Sequence, residues 1–115
     1  MSLEKAQYGD IYVLTPRKNL SGGDETRELQ GVVQEIVTNG VPKIIVDLGN
    51  ISYINSTGLG ALIAMHTSCR NRQGMLRLAR IGKRIENLFL ITKLSLVFET
   101  FDSVEGALVG VDKTE

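Results

Sequence analysis

Ile44, Ile45 and Val46 stand side by side in "VPKIIVDLGN", without the polar alternation that marks a strand with one wet face. A contiguous apolar run of this kind fits a strand covered on both faces, which demands helices packed above and below a sheet. The residues beyond it constrain the fold further. After Asp47 and Leu48 the chain passes through a polar stretch and, at "NSTG", changes to helical spacing in "GLGALIAMH". A buried strand that runs through a short loop into a helix is the basic step of an α/β domain.

The other periodicities repeat that step. "IYVLTP" is a short β-prone run stopped by Pro16, and "LEKAQYGD" can pair with it through a turn at Gly9 and Asp10, giving an antiparallel hairpin. "LSGGDETRELQGVVQEIVTNG" has a Ser/Gly/Asp start signal, then Leu29, Val32, Val33, Ile36 and Val37 at helical spacing, then Asn39 and Gly40 as a stop. From about Thr57 a second helix places Leu59, Leu62, Ile63, His66 and Cys69 or Arg70 on one stripe and ends before Gly74. "MLRLAR" reads as a strand, "KRIENLFLITKL" as a helix through Ile85, Leu88 and Phe89, "LVFETF" as a strand, and Val104, Ala107, Leu108 and Val111 as a last amphipathic helix. The order β-β-α-β-α-β-α-β-α predicts one α/β domain over residues 1–115. Its sheet has four to five mostly parallel strands, with an N-terminal antiparallel hairpin and about four helices.

Charge and composition exclude several functions. Thirteen basic and thirteen acidic side chains cancel, so no global field draws the chain to nucleic acid or an anionic membrane. The start "MSLEKAQYGD" has neither the basic flank nor the apolar stretch of a signal peptide, and no run approaches the roughly 20 apolar residues of a membrane span. The expectation is a cytoplasmic protein. One Cys and one His supply too few ligands for a thiolate or zinc site, and no metal or cofactor is expected.

The "NSTG" turn is the best candidate site, because unpaired N–H groups at a helix start point outward from the strand-to-helix edge. Asn, Ser and Thr are also all favoured helix caps, so the turn can be a cap and nothing more. The glycines of "GLGALIA" do not complete a phosphate-binding loop, since the third position of a dinucleotide fingerprint is Ile63. Ser56 is no catalytic nucleophile either. His66 lies ten residues on along the same helix, about 15 Å away at the helical rise, and reads, like Cys69, as a core side chain. No catalytic residue is assigned. Arg70, Arg72, Arg77, Arg80, Lys83 and Arg84 form a stretch without an acid, read either as solvated element ends or as a contact surface for an acidic partner. Tyr53, with no place in the core pattern, is a further contact candidate.

In "IIVDLGNISYINSTGLGAL" the sequence resembles the STAS domain, and within it the bacterial anti-sigma factor antagonists. Asp47, Leu48, Ile51, Ile54, Ser56, Thr57, Gly58, Leu59 and Gly60 fall on the pattern of a buried strand ending in Asp-Leu, a loop, and Asp-Ser-Ser/Thr-Gly-Leu-Gly entering a helix. The element order agrees over nearly the whole chain, including the helix preceded by "NLSGGDETREL". The resemblance implies a binding module rather than an enzyme. Its members bind an anti-sigma factor and so release a sigma factor. That anti-sigma factor is also a serine kinase that inactivates the antagonist by phosphorylating the motif serine, and a phosphatase reverses it.

The resemblance implies Ser56 as the phosphate acceptor, since it is the matching serine, and the expected partner face comprises Asn55, Thr57, Gly58 and Tyr53 with Ser21 and Asp24. A phosphate adds roughly −1.5 to −2 charge, which the dipole of a helix start tolerates, so the effect falls on the interface. A loss of about 3 kcal/mol there weakens binding more than a hundredfold. One position departs from the pattern: Asn55 replaces the usual Asp, keeping a capping oxygen but not the charge. A STAS scaffold that binds partners without phosphorylation, in a stress-signalling or transporter complex, is the alternative. No small-molecule substrate, nucleic acid or membrane is expected as a partner.

Overall fold

Strand β3 (Lys43–Asp47) is the centre of a five-stranded sheet, with Ile44, Ile45 and Val46 fully buried. The contiguous run is explained by its two faces. Ile44 and Val46 join Leu14, Leu76 and Leu78 in the main core, whereas Ile45 belongs to a second core with Ile11, Val13, Ala79, Ala107 and Val111. The computed structural model describes residues 3–111.

In chain order the elements are β1 (Glu4–Tyr8), β2 (Ile11–Thr15), α1 (Asp24–Thr38), β3, α2 (Ser56–Asn71), β4 (Met75–Ala79), α3 (Lys83–Ile91), a 3₁₀ turn (Leu94–Leu96), β5 (Glu99–Phe101) and α4 (Val104–Leu108). The sheet order is β1-β2-β3-β4-β5, β1 antiparallel to β2 and the rest parallel, as the element order predicts. Leu29, Val33 and Val37 of α1, Leu62, Met65 and Cys69 of α2, and Ile85 and Phe89 of α3 cover one face of the sheet. Short α4 covers the other face with Ala107.

The boundaries follow local chemistry. Gly9 turns the hairpin with φ of 64°. Asp24 and Glu25 sit in the first turn of α1, where the helix dipole favours anions, although its N-cap, Gly23, offers no side chain. The Glu25 carboxylate, itself buried, instead accepts the N–H groups of Arg17 (2.6 Å) and Lys18 (3.3 Å) and ties the end of β2 to α1.

Three expectations are corrected. The buried stripe of α2 is Gly58, Ala61, Leu62, Met65 and Cys69, one residue round from the predicted one, so Ile63 is 36% exposed and Leu59 and His66 are only partly buried. The shift arises because Gly58 is pressed onto the Leu20 carbonyl, and flexible Met65 fills the core in place of His66. The third helix stops at Ile91, because Lys93 takes the left-handed conformation (φ 64°), and the 3₁₀ turn occupies the start of the predicted strand "LVFETF". α4 ends at Leu108, and Val111 reaches the second core from beyond the helix.

Candidate functional site

The loops after β2 and β3 leave the same edge of the sheet, because the two strands are parallel. At the end of the β3 loop Asn55 is the N-cap of α2: its Oδ1 accepts the Gly58 N–H at 2.9 Å, and its backbone carbonyl accepts the Leu59 N–H at 2.8 Å. The turn is a cap, and the residue that caps is Asn55. That frees both hydroxyls. Ser56 and Thr57 are the first two helical residues, both exposed, and among the described residues neither hydroxyl has a hydrogen-bond partner. Their N–H groups have no intrahelical acceptor either, as at any helix start.

The β2–α1 loop is stitched against this turn. Leu20, fully buried, forms a parallel bridge with Ile54, and its carbonyl accepts the Asn55 N–H at 3.2 Å. The Asn19 Oδ1 accepts the N–H groups of Ser52 (3.0 Å) and Tyr53 (3.2 Å), while the Asn55 Nδ2 donates to the Ser21 carbonyl at 3.0 Å. Gly58 must be glycine, since a Cβ there would lie 2.1 Å from the Leu20 carbonyl oxygen. Gly22 (φ +91°) rests on the Thr57 side chain, where a Cβ would lie 2.7 Å from Cγ2.

Asn55, Thr57, Gly58 and Ser21 are thus brought into one contact network, with Ser56 on its surface. Tyr53 is 46% exposed beside it. Asp24 lies in the first turn of α1 and pairs with Arg27 at the surface. Asn19, Leu20 and Gly22 carry no individual sequence signal, since only the motif-like segment "NLSGG" stands out there.

Tyr53 also forms one wall of a groove of about 380 Å³, lined by Ile54, Arg84, Ile85, Leu88 and Ile91. Ile91, at the end of α3, is 80% exposed, and Leu90 and Leu96 are further exposed apolar side chains on α3 and in the 3₁₀ turn. Arg84 is the charged residue in the groove wall.

The basic stretch does not act as one surface. Arg77 turns inward, donating to the carbonyls of Ala107 (2.8 Å) and Val109 (3.0 Å) and lying over the Phe101 ring. Arg80 is bound to the buried Asp47 carboxylate, which raises the guanidinium pKa above its usual value. Arg70, Arg72, Lys83 and Arg84 remain exposed. His66 packs edge-on against Phe98, and burial pushes the Cys69 thiol up to about 11, too high for a reactive thiolate at neutral pH. Among the described residues no His/Cys/Asp/Glu cluster fits a metal, and no helix is long and apolar enough to cross a membrane.

The model of the STAS domain matches residues 2–107. The chain belongs to the STAS domain family. This STAS domain is 31% identical over 78 residues to the anti-sigma-B factor antagonist of Staphylococcus aureus, covering 68% of this chain and 72% of that one, which shows it to be of the anti-sigma factor antagonist kind. In fold it is similar to an anti-sigma factor antagonist from Mycobacterium paratuberculosis (TM-score 0.79, 18% identity, 96% of this chain and 92% of that chain). It is also similar to the Bacillus cell fate determinant SpoIIAA in its phosphorylated form (TM-score 0.73, 14% identity, 92% and 96%). Those identities show the fold alone.

Proposed function

We propose that this STAS domain binds an anti-sigma factor through the Asn55–Gly58 turn, Tyr53 and the Ser21–Asp24 loop, releasing a sigma factor, and that phosphorylation of Ser56 switches the binding off. The observation that carries this is the Ser56 hydroxyl: exposed, unbonded among the described residues, and released from capping by Asn55. The relatives named as anti-sigma factor antagonists support the partner class, and a structural neighbour solved in a phosphorylated form supports the switch.

The chemistry needs nothing from this chain but the hydroxyl and its placement. Serine kinase activity of the anti-sigma factor transfers the γ-phosphoryl of ATP to Ser56 Oγ; the P–O bond to ADP breaks as the O–P bond forms. The hydroxyl proton passes to a base on the kinase, since His66 is ten residues further along the same helix. A phosphatase returns the serine by hydrolysis. In the domain itself the phosphate meets the positive end of α2, whose first turn contains no acid, so the fold survives. In the complex the charge is buried against the partner, and the interface weakens.

Incubation with the cognate kinase and ATP, followed by peptide mass spectrometry, tests the assignment. One phosphate on the Ser56 peptide, absent in Ser56→Ala, is expected; a phosphate elsewhere on the chain would overturn it. The alternative of an unphosphorylated STAS scaffold draws on Asn55, which leaves the turn without a carboxylate. Tight partner binding that Ser56→Asp leaves unchanged would identify it.

A further inference from the structure

We infer that Asn55 is a positioning residue for the partner face, whose side-chain amide locks the Ser21–Gly22 segment onto the start of α2. The partner half of this inference rests on the function proposed above; the lock itself does not. The Asn55 side chain bonds in two directions at once, Oδ1 receiving the Gly58 N–H at 2.9 Å and Nδ2 donating to the Ser21 carbonyl at 3.0 Å. The Gly58 donor fixes which end of the amide points inward, so the NH₂ must face the loop. Serine or aspartate at this position can do the first job. Neither does the second: a serine hydroxyl is too short to span both contacts, and an ionised carboxylate has no proton to donate and would set its charge against a carbonyl oxygen.

The lock matters for what it holds. Ser21 is exposed, and Gly22, held by its N–H to the Thr26 Oγ1 at 2.9 Å, lies on the methyl side of Thr57. The loop on the near side, through Leu20, is already fixed by the Ile54 bridge and by Asn19. Asn55 therefore anchors the Ser21 end of the segment that completes the surface around Ser56, while Gly22 is held from its other side by Thr26 and by the Arg27 Nη1, which donates to the Gly22 carbonyl at 3.2 Å. A surface set before binding avoids the ordering cost a mobile loop would incur when the partner arrives.

Ser56 itself is untouched by the test, which compares the wild type, Asn55→Ser and Asn55→Asp. Both substitutions keep a capping oxygen, so thermal stability and the Gly58 and Leu59 amide signals should stay near wild type. In the free protein, ¹⁵N relaxation should show the Ser21 and Gly22 amides gaining mobility in both variants. The wild-type Asn55 side-chain NH₂ should show the downfield shift of a bonded donor. Titration with the purified anti-sigma factor should then show affinity falling about two- to tenfold in Asn55→Ser, the worth of one hydrogen bond. Unchanged mobility of Ser21 and Gly22 in both variants would overturn the lock. Increased mobility with unchanged affinity would overturn the positioning role. A wild-type domain that fails to bind the anti-sigma factor, with the variants still loosened, would sink the proposed function and leave the lock supported by the relaxation data.

Discussion

The Arg80 guanidinium grips the Asp47 carboxylate side-on, Nε to Oδ1 at 2.8 Å and Nη2 to Oδ2 at 3.0 Å, and so joins the ends of β4 and β3. The same carboxylate accepts the Gly49 N–H at 3.0 Å, which begins the loop that leads to Ser56. Asp47 has 8% of its side chain exposed and Arg80 45%, so the pair lies between a buried and a surface ion pair. Arg80→Ala should therefore cost about 1.5–3 kcal/mol, the range for hydrogen bonds to a charged group, and less than the loss from a fully buried pair. Urea unfolding monitored by circular dichroism measures it.

Gly49 should prove coupled to that pair. A Cβ at Gly49 would lie 2.3 Å from the Arg80 Cζ, and the part that can yield is the flexible arginine end. Gly49→Ala should thus displace the guanidinium and cost nearly as much as Arg80→Ala, while the double substitution should cost little more than either alone. Additive losses in the same unfolding experiment would show that Gly49 acts independently.

The groove beside Tyr53 extends the proposed partner face. Ile91, 80% exposed at the end of α3, contributes little to the core, and a lysine there suits the negative end of the helix. Ile91→Lys should leave the unfolding midpoint unchanged and weaken anti-sigma factor binding about tenfold, as for an apolar anchor at an interface. Isothermal titration calorimetry reads the change, and equal affinities would remove the groove from the interface.

His66 should give the fold a pH dependence. Burial, and then the charge of Arg70, hold its pKa below the usual 6.5, against an opposing pull from Glu99. The unfolded chain therefore binds the proton first as pH falls. The stabilisation is complete above about 6.5 and is lost as pH drops from there towards the folded-state pKa. Stability should rise with pH across that window in the wild type and be flatter in His66→Gln, as read from urea midpoints at a series of pH values.

Much of the fold is legible in the sequence because its signals are local. The contiguous Ile44–Val46 run announces the central strand, and the spacing of Leu29, Val33 and Val37 announces α1. The rotation of α2 is not legible, since it is set by the approach of Gly58 to a carbonyl 38 residues earlier in the chain. The same holds for the site. A cap is expected at "NSTG", but three residues there can cap, and the spacing alone does not show that Asn55 takes the extended cap position and reaches the Ser21 carbonyl 34 residues earlier with its amide. The even look of the basic stretch likewise conceals that Arg77 and Arg80 are committed to internal partners.

On the proposed function, charge at Ser56 controls partner binding without damaging the domain. The decisive measurement is affinity for the purified anti-sigma factor, taken for wild type, Ser56→Ala and Ser56→Asp alongside their unfolding midpoints. Near-wild-type stability is expected for all three, with near-wild-type affinity for Ser56→Ala and a loss on the order of a hundredfold for Ser56→Asp. Equal affinity for Ser56→Asp and wild type would contradict control by charge at this position.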